Sequence, residues 1–243
     1  VWMPDTGVET RLDTETSGWD EQLAFAPDGS HLVAARNTTA GAILHIWDTD
    51  SFGHRTVDLG ATLYSVAISS DSSAVAAGTY GDTAWVGDFQ TPTVFTMELA
   101  HTRAVEAVAL SSDGVLVATG SRDQLARLWR AHDGAIVGEP MQHDRPITAL
   151  AFSPDDTLLA TGTVGGVVRL WSVATQRPMS DELHHGDDVV GAVVFSTSGR
   201  YMATLSQSSL RVWHVEMGRP YGRAMQHGGA VSAGAISFTR DEA

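Results

Sequence analysis

Residues 143–171 read HDRPITALAFSPDDTLLATGTVGGVVRLW, and the stretch runs on through Pro178 and Leu183 to His184-His185. Two apolar runs, Ile147 to Ser153 and Thr157 to Gly162, are joined by Pro154-Asp155-Asp156. That junction reads as a turn, because proline presets its own φ and aspartate bonds back to the backbone that follows it. Gly165-Gly166 makes a second tight turn into a third run, Val167 to Trp171, and Pro178 to Leu183 supplies a more polar fourth. The stretch therefore predicts a small antiparallel sheet of three interior strands and an outer one. Both its faces are apolar, so it needs neighbours of its own kind to cover them.

The chain supplies those neighbours. Ala151-Phe152-Ser153-Pro154-Asp155 has counterparts in Ala24-Phe25-Ala26-Pro27-Asp28, Ala67-Ile68-Ser69-Ser70-Asp71, Ala109-Leu110-Ser111-Ser112-Asp113, Val194-Phe195-Ser196-Thr197-Ser198 and Ser237-Phe238-Thr239-Arg240-Asp241. The large apolar residue falls at 25, 68, 110, 152, 195 and 238, a spacing of 42 or 43 throughout. Trp129, Trp171 and Trp213 keep the same interval. Trp47 lies further upstream, and Gly87 stands where the intervening tryptophan would fall.

A period near 42, an AFSPD-type turn, an LATGS-type second run and a closing D-x-x-x-R-L-W resemble the WD-repeat family of β-propellers. The fullest example is Arg122-Asp123-Gln124-Leu125-Ala126-Arg127-Leu128-Trp129. The resemblance implies an all-β chain, a β-propeller of four-stranded antiparallel blades. It divides the chain into the end of a blade (1–18), five full blades (19–60, 61–100, 101–142, 143–183, 184–226) and the start of another (227–243). Seven blades at this period need about 290 residues, so the expectation is a section of a longer, about seven-bladed ring. An open ring exposes apolar blade faces and strand edges, which makes self-association a hazard.

Composition narrows the function. Of 243 residues 43% are hydrophobic and 24 are glycine, enough for a substantial core and many tight turns. There is no cysteine, which excludes disulfides and thiol or cysteine–zinc chemistry and fits a reducing, cytoplasmic setting. All 15 basic residues are arginine, and the net charge of −14 argues against nucleic acid or an anionic membrane as partner. Counted repeat by repeat, the arginines form no basic block. No run reaches membrane-spanning length, and the start does not read as a signal peptide.

In chain order, Val1-Trp2 reads as the end of a third strand and Met3 to Leu12 as an outer strand. The first full blade carries extra residues, Arg36-Asn37-Thr38-Thr39-Ala40-Gly41, expected to lengthen the loop between its second and third strands. The second blade is degenerate: Trp85 in Thr83-Ala84-Trp85-Val86-Gly87 falls where blade three has Arg127, and is expected to pack over the place left by Gly87, the alternative being an exposed contact residue. Val231 to Phe238 reads as one more first strand.

The resemblance also implies a buried hydrogen-bonded chain per blade: a histidine before the first strand, a serine or threonine in the second, an aspartate in the turn and the closing tryptophan. In blade three these are His101, Thr119 or Ser121, Asp123 and Trp129. Blade four has Gly165 and blade five Gln207 at the aspartate position, so the chain is expected complete in blade three alone. A hydrolytic reading of His101, Ser121 and Asp123 is set aside, since Ser121 lacks a strained nucleophile turn. His184-His185-Gly186-Asp187-Asp188 offers metal-ligand types, but this is the loop where the family places its histidine, and no metal or cofactor is expected.

A propeller presents variable loops on a rigid scaffold. The expected function is therefore a non-enzymatic interaction scaffold or sensor that binds a protein partner, or flanking domains of the same polypeptide, through rim loops. Contact residues are sought just inside the first strands and between second and third strands: Trp19, Glu21, Tyr64, Tyr80, Arg103, Glu106, Arg122 and Arg145. Tyrosine, tryptophan and arginine are the usual interface anchors. Two alternatives are a propeller enzyme, whose channel positions would be Glu21, Tyr64, Glu106, Thr148 and Gly191, and a purely structural spacer. Gly138-Glu139-Pro140-Met141-Gln142-His143 and Gly218 to His227 share a G-x-P…M-Q-H connector that resembles those of bacterial multidomain signalling proteins.

Overall fold

The computed structural model describes residues 2–3, 8–9, 19–51, 53–88, 95–227 and 236–238, with the backbone alone for Trp2–Met3, Val8–Glu9, Trp19–Gln22 and Phe95–Thr96. It contains no helix among the described residues. After a two-stranded sheet of Trp2–Met3 and Val8–Glu9, five larger sheets follow one another along the chain, each a meander in which consecutive strands pair antiparallel. Blade one comprises Trp19–Phe25, His31–Thr38, Gly41–Asp48 and His54–Asp58; blade two Leu63–Ile68, Ala74–Thr79, Thr83–Asp88 and Phe95–Ala100. Blade three comprises Val105–Leu110, Leu116–Ser121, Leu125–Arg130 and Ile136–Gln142; blade four Ile147–Phe152, Leu158–Thr163, Val167–Ser172 and Leu183–His184. Blade five has Val190–Phe195, Tyr201–Ser206 and Ser209–His214, with an outer strand in two pieces, Arg219–Pro220 and Met225–Gln226.

In blades two to four the recurring Ser-x-Asp closes the first hairpin by local bonding. Ser153 Oγ donates to Asp155 at 2.6 Å and accepts from the Leu158 N–H at 2.9 Å, while the Asp155 carboxylate takes the Thr157 N–H at 3.2 Å. Ser69–Asp71 and Ser111–Asp113 repeat the arrangement at 2.6 and 2.7 Å. The turns also lock neighbouring blades: the Ser112 N–H donates to the Asp156 carboxylate at 2.9 Å, and the Asp28 N–H to Ser72 Oγ at 3.1 Å.

The core lies between blades rather than within one. Leu44, Ile46 and Val33 of blade one meet Leu63 and Val75 of blade two. Val86 and Leu99 meet Val108, Val117 and Trp129 of blade three. Leu128 and Met141 meet Ile147, Leu159 and Trp171 of blade four, and Leu170 and Leu183 meet Val193, Met202 and Trp213 of blade five. Each such side chain contributes about 1.5–3 kcal/mol when fully buried. The glycine of the LATGS run makes this contact possible. A Cβ on Gly120 would lie 2.6 Å from Ile147 Cγ2, and one on Gly162 2.5 Å from Val190 Cγ1. First strands of blades two to five lie side by side, so they form the inner edge of the stack.

Four expectations need correction. Arg36–Gly41 does not lengthen a loop: it extends a hairpin that turns at Thr39-Ala40, and Asn37 is buried with its amide bonded to both the N–H and the carbonyl of Leu63, at 2.7 and 3.0 Å. A side chain that satisfies a neighbouring blade's backbone pulls the extra residues into the sheet. The outer strand of blade four does not run from Pro178 to Leu183: only Leu183–His184 pairs, with a separate bridge at Pro178, a residue with no N–H to give a ladder. The G-x-P resemblance between connectors is out of register. Trp129 pairs with Ile136 and Trp213 with Pro220, so Gly222 (φ 79°) matches Gly138 (φ 68°), and the two prolines do not correspond. At the N-terminus Trp2–Met3 pairs with Val8–Glu9, so Met3 belongs to the earlier strand of that hairpin.

Trp85 is partly buried against the cluster between blades one and two, on the face that carries Gly87. At the other end, Ile236 and Phe238 lie with Val194, Leu210, Val212 and Met225 on the downstream face of blade five. Val231 to Ala235, the start of the expected strand, lies outside the described residues, as do Thr239 and Arg240.

Candidate partner-binding site

Each first strand is interrupted near its start by a β-bulge. The register shifts between Leu63 and Ser65, Val105 and Ala107, Ile147 and Ala149, and Val190 and Ala192, and in blade one between Trp19 and Gln22. The extra residues are Tyr64, Glu106, Thr148 and Gly191, with Glu21 inside the wider shift of blade one. A bulge takes a residue out of the in–out alternation and re-aims its side chain. This is why positions just inside the first strand are available for contact.

At blades two and three the re-aimed side chains meet residues from the ends of the second strands. Tyr80 follows Ala74–Thr79 and Arg122 follows Leu116–Ser121. The Tyr64 and Tyr80 rings are 5.6 Å apart. The Arg122 guanidinium lies 5.9 Å from the centre of the Tyr64 ring, reaches the Tyr64 hydroxyl at 3.5 Å, and pairs through Nε with the Glu106 carboxylate. Glu106 is largely covered (11% exposed), whereas Arg122 (48%) and Tyr80 (60%) face solvent. Burial pushes the Tyr64 phenol above its usual pKa, and Glu106 raises that of Arg122. The group thus keeps one fixed charge pair beneath an aromatic surface. Exposed pairs and cation–π contacts are each worth only about 0.5–1 kcal/mol, so the cluster orders side chains for contact more than it stabilises the fold.

The other candidates fall elsewhere. Trp19 and Glu21 lie on the backbone of blade one's first strand, and their side chains are outside the described ones. Arg103 is exposed in the loop before blade three, where its carbonyl accepts from Ser121. Arg145 lines a small recess on blade four beside Arg169, which pairs with Glu182 and with Asp144 at 3.2 Å.

Behind the rim runs the buried polar chain. In blade three Trp129 Nε1–H donates to Thr119 Oγ1 at 2.8 Å, and Thr119 meets His101 Nε2 at 2.6 Å. The opposite nitrogen, Nδ1, faces the Asp123 carboxylate at 3.0 Å. A carboxylate accepts, so Nδ1 carries the proton and the threonine hydroxyl donates to Nε2. Arg127 donates to Asp123 at 2.9 Å and also lies against His101. Burial first, then Arg127, holds His101 down to about 4 against the pull of Asp123. Burial tends to raise Asp123, but hydrogen bonding from Arg127 and the nearby His101 hold it to about 2.

The chain is not confined to blade three. Trp171 donates to Thr161 at 3.0 Å and Thr161 meets His143 Nε2 at 2.7 Å, while His143 Nδ1–H donates to the Met141 carbonyl at 3.0 Å. In blade five Trp213 donates to Thr204 at 2.8 Å and Thr204 meets His185 at 2.6 Å. There the ring is turned over, so that Nε2–H gives to the Ser209 carbonyl at 3.1 Å. A backbone carbonyl replaces the aspartate in both. Ser121 stands beside the chain rather than in it, donating to the Arg103 carbonyl at 2.9 Å and accepting the Asp123 N–H at 3.0 Å. Its hydroxyl does not meet His101, so the geometry is not that of a hydrolytic triad. The tract at 184–188 is split: His185 is buried in its chain, His184 is exposed beside Glu182, and Asp188 accepts from Ser208. Among the described residues no group of three or more histidines and carboxylates could hold a metal.

Thr161→Val should cost about 1–3 kcal/mol, because it leaves the Trp171 N–H and His143 Nε2 buried without a partner at nearly unchanged volume. Urea unfolding with an unchanged m-value measures it; a loss under about 0.5 kcal/mol would contradict the role of the hydroxyl.

Four-stranded meanders stacked face to face, with first strands inward and loops at the ends, define this as a β-propeller fold. The family model "WD domain, G-beta repeat" matches residues 93–130, 135–172 and 179–214. The chain thus carries three WD repeats. Each match begins at or near the outer strand of one blade and ends one residue after the closing Trp129, Trp171 or Trp213 of the next. WD repeats are in general protein-interaction scaffolds. Comparison with curated proteins returns no match.

Proposed function

We propose that this chain is a non-enzymatic interaction module, a scaffold or sensor section of a larger, cytoplasmic bacterial signalling or defence protein. It captures a protein partner through the rim of blades two and three. The observation that carries the reading is the cluster of Tyr64, Tyr80, Glu106 and Arg122, where bulges and hairpin ends of two blades deliver two tyrosines and an arginine to one exposed surface. Aromatic and arginine side chains held in place before contact lose little freedom on binding. The net charge of −14 favours a protein over nucleic acid as partner.

The test is a pull-down from native extract with wild type and with Tyr64→Ala/Glu106→Arg, both shown folded by a circular-dichroism melt. Removing one anchor and setting a like charge against Arg122 should abolish capture of the partner. Equal capture by the folded double variant would move the site off this rim, and no specific capture by either would favour a spacer.

A further inference from the structure

Between Asp188 and Asp241 the chain carries Arg200, Arg211, Arg219, Arg223 and Arg240 against the single acid Glu216. Counting by repeat hides this, because Asp187 and Asp188 at the start of blade five offset the arginines. The fold gathers part of the excess at the end of blade five remote from its Ser206–Ser209 turn. Arg200 ends the first hairpin turn, Tyr201 and His214 face each other across the second and third strands, and Arg219 and Tyr221 come from the broken outer strand. These five side chains line one open pocket. Tyr201 packs 4.9 Å from Tyr221 and 5.6 Å from His214, and the Arg200 guanidinium sits 5.7 Å from the Tyr201 ring.

Two observations separate this pocket from an ordinary solvated edge. Arg122, Arg127, Arg130 and Arg169 each pair with a carboxylate, whereas no ion pair among the described residues uses Arg200 or Arg219. The combination also belongs to this blade alone, although blade four carries Arg177 at the place of Arg219. On the same backbone, blade three carries Val115, Leu116, Ala135 and Val137 where blade five carries Arg200, Tyr201, Arg219 and Tyr221. Tyr221 is 60% exposed and Met217, beside it, 55%. Aromatic and apolar surface thus lies next to guanidinium groups that no carboxylate of the described residues occupies.

We infer that the Arg200–Tyr201–Arg219–Tyr221 pocket is a second docking surface, for an acidic segment of a protein partner in which a carboxylate neighbours an aromatic side chain. The carboxylate takes the two guanidinium groups, which favour planar, two-pronged contact with oxyanions. The neighbouring ring stacks on Tyr221. The surface lies at the opposite end of the blades from the Tyr64–Arg122 rim, so both can be occupied together.

The probe is a fluorescein-labelled peptide of alternating Glu and Trp, titrated by anisotropy into the 243-residue protein. Its controls are the same peptide with Gln for Glu and a labelled single-stranded oligonucleotide. The expected result is saturable, salt-sensitive binding of the acidic peptide, weakened about tenfold or more by Arg219→Glu or by Arg200→Glu. Tyr221→Ala should weaken it less, and Tyr64→Ala/Glu106→Arg should leave it unchanged, which separates this surface from the rim. Arg200→Glu, Arg219→Glu and Tyr221→Ala each change an exposed residue, and a melt coincident with wild type confirms that each variant is folded. The inference is overturned by absence of saturable binding, by equal binding of the Gln peptide or of Arg219→Glu, or by tighter binding of the oligonucleotide.

Discussion

Acidification from neutral pH to about pH 4 should remove on the order of 6 kcal/mol of stability, most of it above about pH 5, where ordinary carboxylates are still largely ionised. His101 and His143 are each held to about 4, in both cases chiefly by burial, against 6.5 for a free imidazole. Burial lowers His185 as well. These groups are neutral in the folded chain and charged in the unfolded chain throughout the window from about 6.5 to about 4. The unfolded state therefore binds more protons there, and stability falls as pH falls, the histidine contribution levelling below about 4. The gap corresponds to on the order of 3 kcal/mol each for His101 and His143. Asp123, at about 2 against 3.8, adds its loss only at lower pH. Urea midpoints measured across the range give the curve. His143→Asn, though less stable at neutral pH, should reduce its drop by about half. A midpoint flat between neutral pH and pH 4.5 would show that the buried imidazoles do not set the acid limit.

Gly120→Ala should destabilise the protein by about 1–3 kcal/mol, even though alanine in place of glycine ordinarily favours a strand by about 0.5–1 kcal/mol. The added Cβ would lie 2.6 Å from Ile147 Cγ2 and 3.2 Å from Ile147 Cβ. A β-branched side chain has no long flexible end to swing away, so the third and fourth blades must separate. Ile147→Ala introduced together with Gly120→Ala should cost less than the two changes summed, since each removes the other's clash or cavity. Gly78→Ala offers a contrast: its Cβ would lie 2.8 Å from the Val105 carbonyl oxygen, which no side-chain change relieves. Simple additivity of Gly120→Ala and Ile147→Ala would contradict close approach as the role of this glycine.

The parts of the fold that repeat were the parts legible in the sequence. Phe152 and its counterparts, the Ser153–Asp155 turn and Trp171 each answer a local demand met again every 42 or 43 residues. Backbone partners leave no such mark. The polar chains of blades four and five end on the carbonyls of Met141 and Ser209, so Gly165 and Gln207 wrongly suggested that those chains were broken. Gly78, Gly120 and Gly162 recur visibly, but their reason lies in the next blade's first strand. Asn37 satisfies Leu63 across a blade boundary, which no local pattern reports.

The candidate site was half legible for the same reason. Tyr64 and Glu106 sit at repeat-defined bulges, and Tyr80 and Arg122 at repeat-defined hairpin ends, so position alone brought them together. Arg103 and Arg145 were chosen from loops, where direction depends on the packing of that loop. The basic pocket of blade five escaped a count by repeat because Asp187 and Asp188 offset its arginines, and only the fold brings Arg200 of a hairpin turn beside Arg219 of the outer strand.

Everything proposed for the rim rests on the Tyr64–Tyr80–Glu106–Arg122 surface touching a protein partner. A photo-activatable amino acid placed at Tyr80, and for comparison at Ile136 on blade three, tests it most directly in native extract. Both positions are exposed, at 60% and 50%, so neither placement disturbs a core. Position 80 should give a discrete cross-linked adduct that Arg122→Glu removes, and position 136 none of the same mass. An adduct that is the same from both positions, or one that survives Arg122→Glu in folded protein, would contradict it.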